Sequence, residues 1–182
     1  TTYAQLLADE LGVPYDDVEI REGDTADLAS GYPTGGSWSL VISGQAIETC
    51  VGRLVEKARR IAAHALEADP ADVAFDDGEF SVRGAPDRSV HVQEVARLAY
   101  SGELPDGLEP GLEATSAVST ASTFPYSTHA AVVAVDPETG AVDLRRYVAV
   151  DDCGPQFNPK IVEGQIHGGI AQGLGPALSE GA

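Results

Sequence analysis

The chain has 182 residues, enough for one sizeable domain or two small ones. Its formal net charge is −18, from 29 acidic against 11 basic side chains, and such a surface repels nucleic acid and anionic membranes, so neither is expected as a partner. No 18-residue apolar stretch and no secretory leader pattern occurs, which predicts no membrane insertion and a cytoplasmic location.

Taken in order, residues 2–11 read as a helix with Leu6, Leu7 and Leu11 on one side and Gly12 at the position after its end. Val18-Glu19-Ile20 reads as a short strand, and residues 23–36, rich in Gly, Asp, Ser and Pro, as a loop. A long amphipathic helix is predicted over 39–68. Leu40, Ile47, Val51, Leu54, Ala58, Ile61 and Ala65 recur at helical steps, Glu56 and Arg60 pair at i,i+4 on the wet face, and Ser37 or Ser39 is the expected cap. Short strands follow at 73–75, 79–82 and 89–91, around turns at Asp77-Gly78 and Gly84-Ala85-Pro86. A short helix covers 92–100, and 104–110 is a Pro/Gly-rich connector. Strands are then expected at 112–120, 129–136 and 141–150, the last two paired as a hairpin through the turn 137–140. No internal repeat is present. The class is α+β, with mixed sheets, one long amphipathic helix and a glycine-rich helix. Two sub-lobes, 1–103 and 111–182, joined at the connector, are one organisation consistent with this pattern; a single interlocked unit is the other.

The C-terminal stretch carries the most information. Asn158 suits an N-cap and Pro159 the first helical position, where its missing N–H costs nothing. The helix that follows contains Gly164, Gly168, Gly169, Gly173 and Gly175, each costing about 1 kcal/mol against Ala in an exposed helix interior. Val162, Ile166, Ile170, Leu174 and Leu178 form one apolar stripe. Gln165, Gly168, Gly169, Gln172 and Gly175 form a second face without bulk but with two amides, which suits a flat, polar ligand. Close packing against a neighbouring helix or sheet is the competing reading, because small residues serve backbone approach in general.

The other segment of interest is Gly31-Tyr32-Pro33-Thr34-Gly35-Gly36-Ser37-Trp38-Ser39, a glycine-rich loop opening onto the long helix. Backbone amides at a helix start, with the Thr34, Ser37 and Ser39 hydroxyls, make a cradle for an anion or polar ligand. Gly31 and Gly36 have the spacing of a phosphate-binding P-loop, but Ser37 stands where its lysine belongs, so a nucleotide triphosphatase is rejected. A loop whose serine merely caps the helix remains the alternative. His64, His91, His129 and His167 show no ligand spacing and are expected to be scattered structural residues. Cys50 and Cys153 are expected to be reduced, buried thiols, with a reactive Cys153 the less favoured reading. Asp151 and Asp152 are adjacent on a strand and point to opposite faces, which argues against a paired-carboxylate mechanism and for a turn-stabilising role. No Gly-x-Ser-x-Gly elbow occurs.

Several of these runs together resemble the large subunit of the molybdenum hydroxylases, the xanthine dehydrogenase, aldehyde oxidase and carbon monoxide dehydrogenase enzymes. They are Asp24-Thr25, Pro33-Thr34-Gly35-Gly36-Ser37, Ser39, Gly44-Gln45-Ala46, Val150-Asp151-Asp152-Cys153-Gly154, Asn158-Pro159, Gly164-Gln165, His167-Gly168-Gly169 and Ala171-Gln172-Gly173-Leu174-Gly175. Thr123-Phe124-Pro125-Tyr126 and Val150-Asp151-Asp152-Cys153-Gly154 look most like the carbon monoxide or aldehyde type. The resemblance implies that residues 1–182 are an internal part of the molybdopterin-binding region, in keeping with a chain that begins Thr1-Thr2 and has no methionine. It further implies a molybdenum–molybdopterin cofactor, as molybdopterin itself or its cytosine dinucleotide, contacted by Gly35, Gly36, Ser37, Ser39 and Gln172. No metal ligand is expected from the protein, since in this family the pterin dithiolene holds the molybdenum. FAD and [2Fe-2S] clusters would sit on partner domains or subunits of a hetero-oligomer. The reaction would hydroxylate carbon monoxide, an aldehyde or an N-heterocycle with oxygen derived from water. The family's catalytic glutamate and substrate loop match nothing here, so no catalytic residue is assigned and the chain alone is expected to be inactive. Trp38 departs from the Arg or small residue of many relatives and is expected to reshape the loop. The alternative function is a non-catalytic scaffold or assembly module of the same fold. The acidic bias spread along the whole chain, with Lys57 and Lys160 the only lysines, reads as halophile-like.

Overall fold

The computed structural model describes residues 1–26, 31, 33–101, 104–119 and 123–180. Part of the predicted loop 23–36, the last residue of the strand expected at 112–120, and Gly181-Ala182 lie outside the described residues. The chain divides into two compact units, Thr1–Thr120 and Ala121–Ala182, later than the division expected at the connector.

Helix α1 (Thr2–Leu11) ends as predicted, with Gly12 left-handed at φ 59. Helix α2 (Ser39–Ala65) is the long element of the first unit. Its C-terminal half supplies Ala58, Ile61, Ala62 and Ala63 to the core, where they meet Val73, Phe80, Val95 and Ala99. The helix stops three residues before the expected end, and the reason lies in its last turn. Glu67 turns left-handed at φ 50, its N–H bonds the His64 carbonyl, and the Ala68 N–H bonds back to Ala63. That is a Schellman ending with glutamate where glycine is usual. Arg88 donates to the Leu66 carbonyl just beside it, which helps hold a conformation costing a non-glycine residue about 1–2 kcal/mol. Glu56 pairs with Arg59 rather than with Arg60 as expected.

Strands β1 (Val73–Asp76), β2 (Glu79–Val82) and β3 (Ala85–His91) form an antiparallel sheet in that order. Asp77 and Gly78, at φ 43 and 78, make the two-residue turn whose twin positive φ values suit a tight hairpin. β3 starts four residues before its predicted position, past a register shift at Ser81/Val82. The Gly78 turn abuts the end of α1: a Cβ on Gly12 would lie 2.0 Å from the Gly78 nitrogen, and one on Gly78 would lie 2.4 Å from the Gly12 oxygen. Two glycines are therefore required to seat α1 on the hairpin. Helix α3 (Val92–Ser101) buries Val95 and Ala99 against the same core.

Two predicted strands are absent among the described residues. Residues 112–119 alternate half-buried and exposed, as a strand would, yet pair with none. Instead the Gly111 N–H bonds the Ala99 carbonyl at 2.7 Å, the Leu112 N–H bonds the Tyr100 hydroxyl, and Arg53 bonds the Thr115 carbonyl. Leu104, Leu108 and Leu112 pack on the core, so the whole connector belongs to the first unit. Residues 18–20 behave alike: extended and alternating, they follow a short 3-10 turn at Tyr15–Asp17 without a ladder. Period-two burial reports cover on one side; a strand also needs a neighbour to exchange hydrogen bonds.

In the second unit β4 (Tyr126–Val135) and β5 (Val142–Asp152) form the expected hairpin, each longer than predicted, with a bulge at Val132/Val133. Helix α4 (Pro159–Leu178) follows, and its Asn158 cap accepts the Ile161 N–H at 3.2 Å. The hairpin turn is organised by Asp136, whose carboxylate accepts the Glu138 N–H at 2.9 Å and the Thr139 hydroxyl at 2.8 Å.

Two outcomes follow from these contacts. Gly12→Ala is expected to destabilise by at least about 1–2 kcal/mol from its left-handed φ alone, with the clash added, whereas Gly52→Ala, helical and with open space around its Cβ, should stabilise by up to about 1 kcal/mol. Urea denaturation of both variants checks the opposite signs. The Asp136 carboxyl is held below its ordinary 3.8, first by the Glu138 N–H and then by the Thr139 hydroxyl. A depressed carboxyl stabilises above its unfolded pKa, so the turn should be fully braced above the usual carboxylate range and loosen as pH falls through the lowered value. A carbon-13 carboxyl titration with a midpoint at or above 3.8 would contradict this.

Candidate functional site

The sequence-predicted ligand residues fall on two structures, one in each unit. Gly35, Gly36 and Ser37 lie in the turn that leads into α2 at Ser39. The Trp38 N–H bonds the Gly35 carbonyl at 3.1 Å, closing a four-residue turn. Both central residues are left-handed, Gly36 at φ 56 and Ser37 at φ 59. Glycine adopts this freely, but serine does so at a cost of about 1–2 kcal/mol. Neither Ser37 nor Ser39 stands at the N-cap position. Trp38 occupies the N-cap position in helical conformation and gives no side-chain cap, because the left-handed turn places the chain in the helix one residue before Ser39. Ser39 instead bonds the Thr34 hydroxyl at 2.9 Å across the loop. The result is an exposed turn with two linked hydroxyls at the amide end of a 27-residue helix. Such an end favours negative or hydrogen-bond-accepting groups. The Trp38 indole lies 3.7 Å from where a Gly36 Cβ would stand, so the departure noted in the sequence packs back on its own turn.

Gln172 lies on α4. Val162, Ile166, Ile170 and Leu174 are half-buried along the predicted apolar stripe, while Gln165, Gly168, Gly169 and Gln172 are exposed. A cavity of about 410 Å³ lies on the stripe side, lined by Tyr147, Ala149 and Asp151 of β5 and Glu163, Ile166, His167 and Ile170 of α4. At 100° per residue the glycine and glutamine face points the opposite way. The close packing considered for it is not found within this unit, since a Cβ at Gly164, Gly168, Gly169 or Gly173 would meet nothing within 4 Å. Pro176, inside the helix, has no N–H for the carbonyl four residues earlier, which is that of Gln172. Gln172 thus presents an exposed side chain on a face without bulk, and its carbonyl lacks the usual donor four residues on.

The remaining polar groups sort as follows. Asp152 accepts the Gly154 N–H at 3.0 Å, the turn-anchoring role expected of it. Asp151 faces the other way and pairs with His129 Nε2 at 3.6 Å, while His129 Nδ1 shares a hydrogen bond of 2.9 Å with the Tyr147 hydroxyl. This cluster was invisible as scattered residues. It becomes legible once the hairpin register sets Ala149 opposite His129, which makes Tyr147 and Asp151 its diagonal neighbours. Among the described residues no group of three or more His, Cys, Asp or Glu is arranged to hold a metal ion. Neither cysteine is buried as expected: Cys50 is half-buried on α2, and Cys153 is exposed in the turn after β5, where Gly154 is left-handed and the chain leaves the sheet.

A family model described as the molybdopterin cofactor-binding domain matches residues 1–182. The chain is 40% identical over 181 residues to the carbon monoxide dehydrogenase large chain of Hydrogenophaga pseudoflava, covering 99% of this chain and 22% of that relative. It is 40% identical over 183 residues to the nicotine 6-hydroxylase large subunit of Paenarthrobacter nicotinovorans, with the same coverage of 99% and 22%. Among solved structures, Cu,Mo-CO dehydrogenase in its carbon monoxide reduced state superposes with a TM-score of 0.86 at 40% identity, covering 93% of this chain and 21% of that one. Quinoline 2-oxidoreductase from Pseudomonas putida 86 gives a TM-score of 0.85 at 38% identity, covering 96% and 22%. The chain therefore spans 22% of the length of these two curated relatives.

Relief of the left-handed strain gives the local test of the turn. Ser37→Gly should stabilise by about 1 kcal/mol, because glycine adopts this φ without the Cβ penalty. Thermal melting of the variant checks it, and an unchanged or lower midpoint would show the turn to be unstrained.

Proposed function

Because the chain belongs to the molybdopterin cofactor-binding domain family, we propose that it is the cofactor-holding part of the large subunit of a molybdenum hydroxylase. The family match over residues 1–182 carries this reading. The chemistry of the two sites fits a pterin. A flat, many-acceptor ring system needs a face without side-chain bulk and several donors, and the open Gly164, Gly168, Gly169 and Gly173 face beside Gln172 offers the first. The amide start of α2, with the Gly35, Gly36 and Ser37 turn and Ser39, offers the second.

In this proposal the Gln172 amide orients the cofactor by hydrogen bonding, and Gly35 and Gly36 admit it close to the backbone. The Ser37 and Ser39 hydroxyls supply neutral donors that do not compete for the metal. The bound molybdenum–molybdopterin, or its cytosine dinucleotide form, supplies the two-electron hydroxylation of a carbon centre with water-derived oxygen. The protein's task here is to bind and orient, and none of its residues is assigned a proton-transfer role. Electrons would leave through [2Fe-2S] clusters and FAD on partner subunits. Carbon monoxide is one candidate substrate, supported by 40% identity to a carbon monoxide dehydrogenase large chain. An N-heterocycle is supported at the same level by nicotine 6-hydroxylase, and an aldehyde more weakly, at 29%. A cytoplasmic, halophilic setting is consistent with the acidic composition.

The parent enzyme, purified from its own host with its partners, should contain about one molybdenum and one pterin per large subunit. Gln172→Ala should lower both while leaving the circular dichroism spectrum unchanged. Equal cofactor content in variant and wild type would remove Gln172 from the site, and absence of both from a folded parent would favour the scaffold reading.

A further inference from the structure

Helix α2 carries a positive face in a strongly negative chain. Arg53, Lys57, Arg59 and Arg60 are four of the 11 basic residues, all within eight positions of sequence. Arg53, Lys57 and Arg60 line an open groove of about 550 Å³ together with Thr49, Gly52, Glu56 and Leu108. Thr49 to Arg60 spans three turns, about 16 Å of helix at 1.5 Å per residue.

The charges in this groove are not balanced locally. Glu56, its only carboxylate, is engaged by Arg59. Lys57 and Arg60 have no carboxylate within 4.0 Å among the described residues, although acidic side chains outnumber basic ones 29 to 11. Arg53 is held in place by the Thr115 carbonyl. Leu108 and the bare backbone at Gly52 give the groove an apolar strip beside the cations.

We propose that this groove docks an acidic segment of a second, different polypeptide, with carboxylates on Lys57 and Arg60 and an apolar side chain over Leu108. The inference rests on the reading of the parent as a multi-subunit hydroxylase. Three observations select this occupant. The groove is open along its length, unlike the enclosing clefts that bury most of a small ligand. The net charge of −18 opposes nucleic acids and anionic membranes at any distance beyond the patch itself. Two cations without a carboxylate of their own offer an acidic segment the local complementarity that guides subunit docking.

The test uses the parent enzyme with its co-purified subunits, comparing wild type with K57E/R60E and the milder R60Q, and with R146E as a control on β5. Sedimentation and native mass spectrometry should show association of a partner subunit weakened on the order of ten-fold or more in K57E/R60E and less in R60Q. The difference should shrink at high salt, and R146E should assemble normally. Unchanged association overturns the proposal, and so does loss of a second large subunit rather than a different chain. Failure of even R60Q to accumulate as a folded subunit also overturns it, because the face would then be covered from within its own chain. Cofactor content is measured in the same samples. Full molybdenum and pterin with unchanged assembly fails this inference alone, and weakened assembly without either cofactor fails the functional reading alone.

Discussion

The first unit depends on one continuous helix that is buried at one end and presented at the other. In α2 the buried face of the C-terminal half is mostly alanine, with Ala58, Ala62 and Ala63 at 2% exposure or less. Small side chains there let the sheet approach closely enough for Phe80 and Val73 to seal the core around Ile61. Because a helix is stiff over 27 residues, anchoring its second half fixes where its first turn points. The turn from Gly35 to Trp38 therefore needs no core of its own, and the positive face midway along is held by the same anchor. Gly12 and Gly78 add the second fixed point, since their mutual contact leaves α1 no alternative seat on the hairpin.

Strain is spent unevenly across this frame. Among the described residues three that are not glycine are left-handed, Ser37, Glu67 and Asp77. Asp77 opens a two-residue hairpin turn that demands the conformation. Glu67 closes α2 with Arg88 bonding the carbonyl just before it, so structure explains both. Ser37 delivers the chain into α2 ahead of Ser39, and glycine there would relieve the strain.

Much of this was legible in the sequence, for identifiable reasons. Helices announced themselves by periodicity and by their ends: Gly12, Asn158 and Pro159 stand where they were placed. The end of α2 was misplaced because its Schellman turn uses Glu67, and no glycine marked it. Residues 18–20 and 112–119 read as strands because alternation records burial on one side, and sequence alone cannot supply the missing neighbour. The runs that pointed to the family were legible as motifs, and Gly35, Gly36 and Ser37 lie in the turn that leads into α2 at Ser39. The Ser37 backbone was not legible, because serine is read by default as a cap. The His129, Tyr147 and Asp151 cluster was hidden for another reason: it exists only in the register of a hairpin whose bulge cannot be located from composition.

The second unit raises a different physical question, that of what stabilises it. None of β4, β5 or α4 contains a buried residue. Phe124 at 80%, Tyr126 at 84% and Val150 at 67% exposure are far more open than apolar residues of a self-sufficient domain. A two-stranded hairpin is marginal in water by itself, and a helix burdened with five interior glycines is weaker than its length suggests. Intrinsic propensity therefore does not hold this unit together, and contiguous apolar exposure of this kind marks surfaces made for contact. The first unit has a core, whereas β4, β5 and α4 of the second have none among the described residues. A ligand resting on the Gly164 to Gln172 face would add contacts to an element short of them, so cofactor binding and the stability of α4 should be thermodynamically linked.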